Sequence, residues 1–326
     1  MLLPVAAASG WWAARYSHRK TNAGSRAVLN SAYGQGLNYL LNEQPDKATE
    51  VLVQMLAVDP DTVELHLALG SLFRRRGEVD RAIRVHENVV GRASLSEDLR
   101  AQASLELGRD FLKAGLLDRA EQLFARMLAQ GRYEKEVCRH LADVYQQVRE
   151  WEKAIAIGRR LARIDCAVWR IRVAHYACEL GEQALQQQDP EGALNWANQA
   201  LGDDPGCVRA TLLLGRCYEA QGDFRTAVDA YLQVQEQDAS LIPEAAGALK
   251  RCRVALGETA ASQAGAQTDA AGRGAGIAPA AAGRSGEREA RFRCEACGFS
   301  SRKLFWQCPG CRDWSTVKPI TAGNAQ

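Results

Sequence analysis

The sequence predicts an all-α chain: a superhelical stack of helix pairs, entered through a short N-terminal membrane helix and closed by a small C-terminal module built on four cysteines. Three observations carry this reading. Small residues recur from Gly36 to Gly215, each with an alanine twelve positions behind it; an uncharged run occupies Leu2 to Ala14; and Cys294-x-x-Cys297 and Cys308-x-x-Cys311 fall within eighteen residues of each other. With 326 residues, 47% hydrophobic and 25% charged, the chain can bury a large core or a long series of small ones. A net charge of only +2 gives no case for a nucleic-acid protein.

The N-terminal element comes first. Residues 1–16 hold the uncharged run, Arg15 follows it at once, and His18, Arg19, Lys20 and Arg26 make a basic juxtamembrane segment of residues 17–29. A secretory signal would carry its positive charge before the apolar run. The order found here suits an anchor whose C-terminal side stays in the cytoplasm, with Trp11, Trp12 and Tyr16 at the interface. Spanning a bilayer takes about 20 apolar residues. The run is shorter than that, so the natural start is expected several residues upstream.

Residues 30–256 repeat themselves about six times. The small positions are Gly36, Gly70, Gly108, Ala142, Gly181 and Gly215, and the alanines are Ala48, Ala82, Ala120, Ala154, Ala193 and Ala227. Successive units are 34, 38, 34, 39 and 34 residues apart. An aromatic stands three residues after the small position at Tyr39, Phe73, Phe111, Tyr145 and Tyr218, with Ala184 the exception. Gly77, Gly115 and Gly222 mark turns, and Asp59-Pro60 and Asp204-Pro205 end units. This pattern resembles the tetratricopeptide repeat, a helix-turn-helix unit of 34 residues. The small residue lets helix A approach helix B, and glycine makes the turn. A single unit cannot bury its own apolar face, so the units stack into a solenoid whose concave face suits protein partners. The exposed cations Arg74, Arg75, Arg76 and Arg109 read as a solvated face.

From Gly257 to Ala290 alanine, glycine, serine, glutamine and threonine dominate and the apolar periodicity ends, which reads as a flexible linker over 257–290. The metal module follows at 291–320, with a tail at 321–326. Cys294, Cys297, Cys308 and Cys311 can close a tetrahedron around zinc or iron, and four protein ligands leave no open position for a substrate. The site is therefore structural or redox, not hydrolytic. Gly298 and Pro309 sit where the backbone must turn tightly around the sulfurs. So short a segment depends on its metal to fold. Phe292, Phe299, Phe305, Trp306 and Trp314 are more aromatics than it can hide, so some are expected to pack on a partner surface.

The rest of the chain offers no chemistry. Cys138, Cys166, Cys178, Cys207, Cys217 and Cys252 lie singly in helix-like segments and read as small buried hydrophobes in a reducing compartment. His18, His66, His86, His140 and His175 have no metal or triad spacing, and no phosphate-binding glycine loop is present. The chain is not expected to be an enzyme.

Taken together, the chain resembles the lipopolysaccharide assembly protein B family of Gram-negative bacteria. The resemblance lies in Leu2 to Ala8, in the stretch from Leu67 to Arg84, in Leu107-Gly108-Arg109-Asp110, and in the ending Trp314 to Ile320. It implies a single-pass inner-membrane anchor, cytoplasmic tetratricopeptide repeats, and a rubredoxin-like metal domain packed on them, with iron favoured over zinc at the four cysteines. It implies an adaptor that promotes turnover of the lipid A pathway deacetylase by a membrane-anchored ATP-dependent protease and communicates with lipopolysaccharide export and regulatory membrane proteins. Where the family continues with further repeats, this chain has its Ala/Gly linker. Self-association into a homo-oligomer is left open, and nucleic acid is not expected as a partner. Two rival readings use the four-cysteine module: electron transfer through iron, or nucleic-acid binding through Arg291, Arg293, Arg302, Lys303, Arg312 and Lys318. Against the first, no flavin or nicotinamide motif accompanies the site; against the second, a basic face on so small a module usually meets solvent or protein.

Overall fold

A computed structural model of the chain describes residues 47, 50, 51, 53, 62–164, 166–258 and 291–320. The expected anchor, juxtamembrane segment and first repeat (Gly36, Tyr39, Ala48), the Asp59-Pro60 pair, linker residues 259–290 and the tail lie outside the described residues. Among the described residues no helix is long and apolar enough to cross a membrane.

The described helices pair as the repeats require. They are α1 (Val63–Arg75) with α2 (Val79–Val90), α3 (Glu97–Ala114) with α4 (Leu117–Ala129), α5 (Glu134–Val148) with α6 (Trp151–Ala162), α7 (Cys166–Gln186) with α8 (Pro190–Asp203), and α9 (Val208–Gln221) with α10 (Phe224–Gln237). A 3₁₀ turn (Ala239–Leu241) leads into α11 (Ile242–Ala255), which packs on α10. Three strands follow: β1 (Phe292–Cys294), β2 (Ser300–Ser301) and β3 (Val317–Pro319), in an antiparallel sheet ordered β2-β1-β3. The residues fall into two compact units, one ending at Val144 and one beginning at Tyr145.

Close approach within a pair is set by the small position. A Cβ on Gly108 would lie 2.4 Å from the Phe124 ring, one on Gly215 2.4 Å from Tyr231, and one on Gly70 2.5 Å from His86. In each case a ring on helix B, sixteen residues on, fills the space the missing side chain leaves. In the pair α5–α6 the sixteenth position after Ala142 is Gly158, which carries no ring and instead receives Val173 of the next helix, α7, 2.5 Å from where its Cβ would be. The repeat alanines Ala82, Ala120, Ala154, Ala193 and Ala227 are fully buried.

One turn closes every described pair. Seven residues after the small position the backbone turns left-handed, at Gly77, Gly115, Arg149, Gln188 and Gly222. The next amide then donates to the carbonyl of the residue three after the small position: Glu78 to Phe73, Leu116 to Phe111, Glu150 to Tyr145, Asp189 to Ala184 and Asp223 to Tyr218, all at 2.9–3.0 Å. That bond satisfies a carbonyl left over at the end of helix A. Asp189 and Asp223 also cap helix B, accepting from the amides of Gly192 and Thr226.

The expectation that Arg74 and Arg109 belong to a solvated face is corrected. Arg74 donates to Glu106 at 2.5 Å and to Asp110 at 2.7 Å, and Arg109 to Glu106 at 2.5 Å. Asp110 is fully buried and meets His86 Nδ1 at 2.5 Å. A buried carboxylate is costly unless paired, so Asp110 draws the Arg74 guanidinium inward from α1. Burial opposes ionisation of Glu106, but the hydrogen bond and charge of Arg74 outweigh it and hold the carboxyl below its usual range.

Gly108→Ala and Ala120→Leu each force volume into a contact with no slack and are expected to destabilise the protein by about 1–3 kcal/mol. A lowered thermal or denaturant midpoint checks this; an unaltered midpoint would show that helices A and B do not meet there.

Candidate metal centre

Two hairpin knuckles bring the four cysteines together. Cys294 ends β1, and its carbonyl accepts from the amide of Gly298, a residue turned left-handed at φ 76°. The second knuckle repeats the geometry: the Cys308 carbonyl accepts from Arg312, which is left-handed at φ 63°. The tight-turn position in this knuckle is thus Arg312; Pro309 lies between the cysteines. All four sulfurs lie within 4.8 Å of one another. Cys294 Sγ is 3.7 Å from Cys311 Sγ, and Cys297 Sγ is 3.6 Å from Cys308 Sγ. A tetrahedron with metal–sulfur bonds of about 2.3 Å has edges near 3.8 Å, so the cage fits a zinc or iron ion.

The electrostatics make the same point. Burial opposes ionisation of Cys294, but the Thr316 hydroxyl and the amides of Cys297 and Ala296 overcome it and bring the thiol down to about 6. At Cys311 the amide of Asp313 favours the thiolate, yet burial and the three neighbouring sulfurs push the group up to about 12. Four thiolates this close repel one another, and a cation relieves the repulsion. The residues offer one ion a complete set of four ligands.

The module's own core is small. Phe292, Cys294, Cys308 and Val317 are buried, with Phe299 and Leu304 packed against them, and Phe305 stands edge-on to Phe299 at 6.2 Å while partly exposed. The two tryptophans turn away from this core onto the chain's own repeats. Trp314 is 6% exposed. Its indole stacks on His175 at 5.0 Å, takes Tyr176 edge-on at 5.8 Å and Trp151 edge-on at 6.5 Å, and has the Arg209 guanidinium over its ring at 5.8 Å. Its Nε1 donates to Gln146 Oε1 at 2.9 Å, the oxygen that also accepts from Tyr176 at 2.9 Å. Leu304 and Trp306 join Val208, Val234 and Leu241 in a second apolar contact.

Polar contacts ring this seat. Arg172 pairs with Asp313 at 2.9 Å, Lys318 with Asp238 at 3.0 Å, and His175 Nε2 shares a hydrogen bond with Ser315 Oγ at 2.5 Å. Half-exposed ion pairs contribute at most about 1 kcal/mol each. Truncating a buried tryptophan costs about 3–5 kcal/mol, so the indole holds the module and the ion pairs set its orientation. The surface that takes the surplus aromatics is thus made by α5, α6, α7, α9 and α10 of the same chain. None of these partners could be read from spacing: 168 residues separate Gln146 from Trp314, and 140 separate His175 from Ser315. His175, which carries no metal spacing, proves to be a docking residue. Cys138, Cys178, Cys207, Cys217 and Cys252 are buried in the repeats as expected, with Cys178 and Cys207, distant in sequence, in side-chain contact; the Cys166 side chain lies outside the described residues.

Comparison with known proteins agrees with both parts. Residues 292–319 match the rubredoxin metal binding domain family, and residues 65–100 and 178–242 match tetratricopeptide repeat families. The chain is 33% identical to lipopolysaccharide assembly protein B of Escherichia coli strain K12 over 377 aligned positions, covering 98% of this chain and 97% of the relative. It is 29% identical to the protein of that name from Haemophilus influenzae, with the same coverage. The alignments are longer than the 326-residue chain, so the relatives carry residues without a counterpart here.

Cys308→Ser and Trp314→Ala separate folding of the module from its docking. The first should lose the metal and expose residues 291–320 to protease. The second should keep the metal, measured by elemental analysis, while the module becomes cleavable from the repeats; parallel loss in both variants would contradict the division. A second expectation concerns acid. Burial, reinforced by the Arg209 charge, lowers the His175 pKa from 6.5 to about 3, so the folded protein keeps this ring neutral while the unfolded chain protonates it. Stability from this residue is present above pH 6.5 and falls as pH drops from about 6.5 toward 3, by up to about 1.4 kcal/mol per pH unit. Denaturant titrations at stepped pH should show a shallower loss for His175→Gln than for the parent; identical slopes would exclude His175 as the source.

Proposed function

The chain belongs to the lipopolysaccharide assembly protein B family, and on that footing we propose that it serves lipopolysaccharide assembly as an adaptor anchored in the bacterial inner membrane, with repeats and metal module on the cytoplasmic side. The adaptor brings the lipid A pathway deacetylase to a membrane-anchored ATP-dependent protease and answers to membrane proteins of lipopolysaccharide export and regulation. The observation that carries this reading is likeness along the whole chain, through repeats and cysteine module alike.

The physical action is proximity. Two proteins held on one scaffold meet at an effective concentration in the millimolar range for short tethers, with no new bond made or broken. Cys294, Cys297, Cys308 and Cys311 hold one iron or zinc ion, with iron favoured by the family resemblance. The ion serves as a cross-link that keeps the module folded against α6, α7 and α9 and gives the scaffold a fixed outline. No catalytic residue is assigned.

Depleting the protein in its source bacterium should lengthen the half-life of the deacetylase in a pulse-chase measurement, and an unchanged half-life would refute the turnover role. Removing residues 1–20 should leave the repeats folded and release the protein from sedimented membranes; a truncated chain that still sediments with them would refute the anchor.

A further inference from the structure

An open groove of about 570 Å³ lies where α9, α10 and α11 face the metal module, within the size range of ordinary ligand sites. Six cationic side chains line it: Arg209, Arg216 and Arg251 from the repeats, and Arg291, Arg302 and Lys303 from the module. Two carboxylates, Glu182 and Glu244, also line it. The repeat cations are partly neutralised, Arg209 by Glu179 and Glu182, and Arg251 by Glu219. Arg216 reaches Glu182 only at 4.0 Å. The side chains of Arg291, Arg302 and Lys303 make no ion pair among the described residues, and all three are exposed. Arg209 is 5% exposed, and its Nη1 has no acceptor among the described residues. Between the charges the lining is apolar, with Leu304 and Trp306 half-buried at its surface and Leu213 and Phe292 buried behind them.

We propose that this groove binds an acidic, amphipathic peptide segment of a partner protein. The net positive lining calls for carboxylates, and the apolar strip between the cations calls for side chains that a small anion or a bare phosphate does not have. Half of the cations and much of the apolar strip come from the module, so the groove exists only while the module is seated on Trp314. Docking thereby converts a solvated basic face into one wall of a binding site. The inference rests on the adaptor reading and gives it a contact surface.

The test uses the full-length, zinc-loaded protein and a fluorescein-labelled decapeptide of alternating glutamate and leucine, read by fluorescence anisotropy. Binding is expected to weaken at least tenfold in Arg302→Glu/Lys303→Glu, whose metal content and tryptophan emission should match the parent. It should be unchanged in Arg84→Glu/Lys113→Glu, which alters the same number of charges outside the groove. A glutamine-leucine peptide should not bind. Equal affinity of parent and Arg302→Glu/Lys303→Glu, or displacement of the peptide by inorganic pyrophosphate at equal charge concentration, would overturn the proposal. The adaptor reading fails separately: if deacetylase half-life ignores the protein while the peptide still binds in the groove, the groove stands and the turnover role falls.

Discussion

The indole of Trp314 is the contact on which the C-terminal half of the molecule depends. A three-stranded sheet with strands of two or three residues has almost no core of its own. Its cohesion comes from the four-sulfur cage and its position from one tryptophan lodged among His175, Tyr176 and Trp151, with its N–H satisfied by Gln146. These two devices are adjacent in sequence, since Trp314 lies three residues after Cys311. The knuckle that carries Cys308 and Cys311 is therefore also the base from which the indole projects.

The repeats solve a different problem with a repeated contact. Helices A and B interlock because glycine leaves room for a ring of helix B at Gly70, Gly108 and Gly215. After Ala142 the sixteenth position holds no ring but Gly158, which receives Val173 of α7. The first unit adds a polar interior, with Asp110 holding His86 and Arg74. Such a network contributes more to the uniqueness of the packing than to its strength, because desolvation offsets most of the charge attraction.

The repeats and the module share one groove lined from both sides. The groove beside α11 takes one wall from the repeats and one from the metal module, chiefly the segment after β2, so its shape follows from how the module sits. The module's cations Arg291, Arg302 and Lys303 thus stand beside Arg209, Arg216 and Arg251 of the repeats.

Much was legible in the sequence because its signals are local or periodic. The four ligands declare themselves by two CxxC pairs, and the helix pairs by glycine and alanine at a fixed offset, since both follow from geometry within one knuckle or one repeat. Turn positions were legible where glycine occupies them, and invisible at Arg149 and Gln188, where the same left-handed turn is imposed on ordinary residues by the packing on either side. Arg74 looked like solvated surface because its partners Glu106 and Asp110 belong to the next repeat. Sequence by itself determined the kind of units and the chemistry of the cage. Only the tertiary structure decided where the module sits, because Gln146, His175 and Trp314 meet through solenoid stacking that no spacing rule encodes.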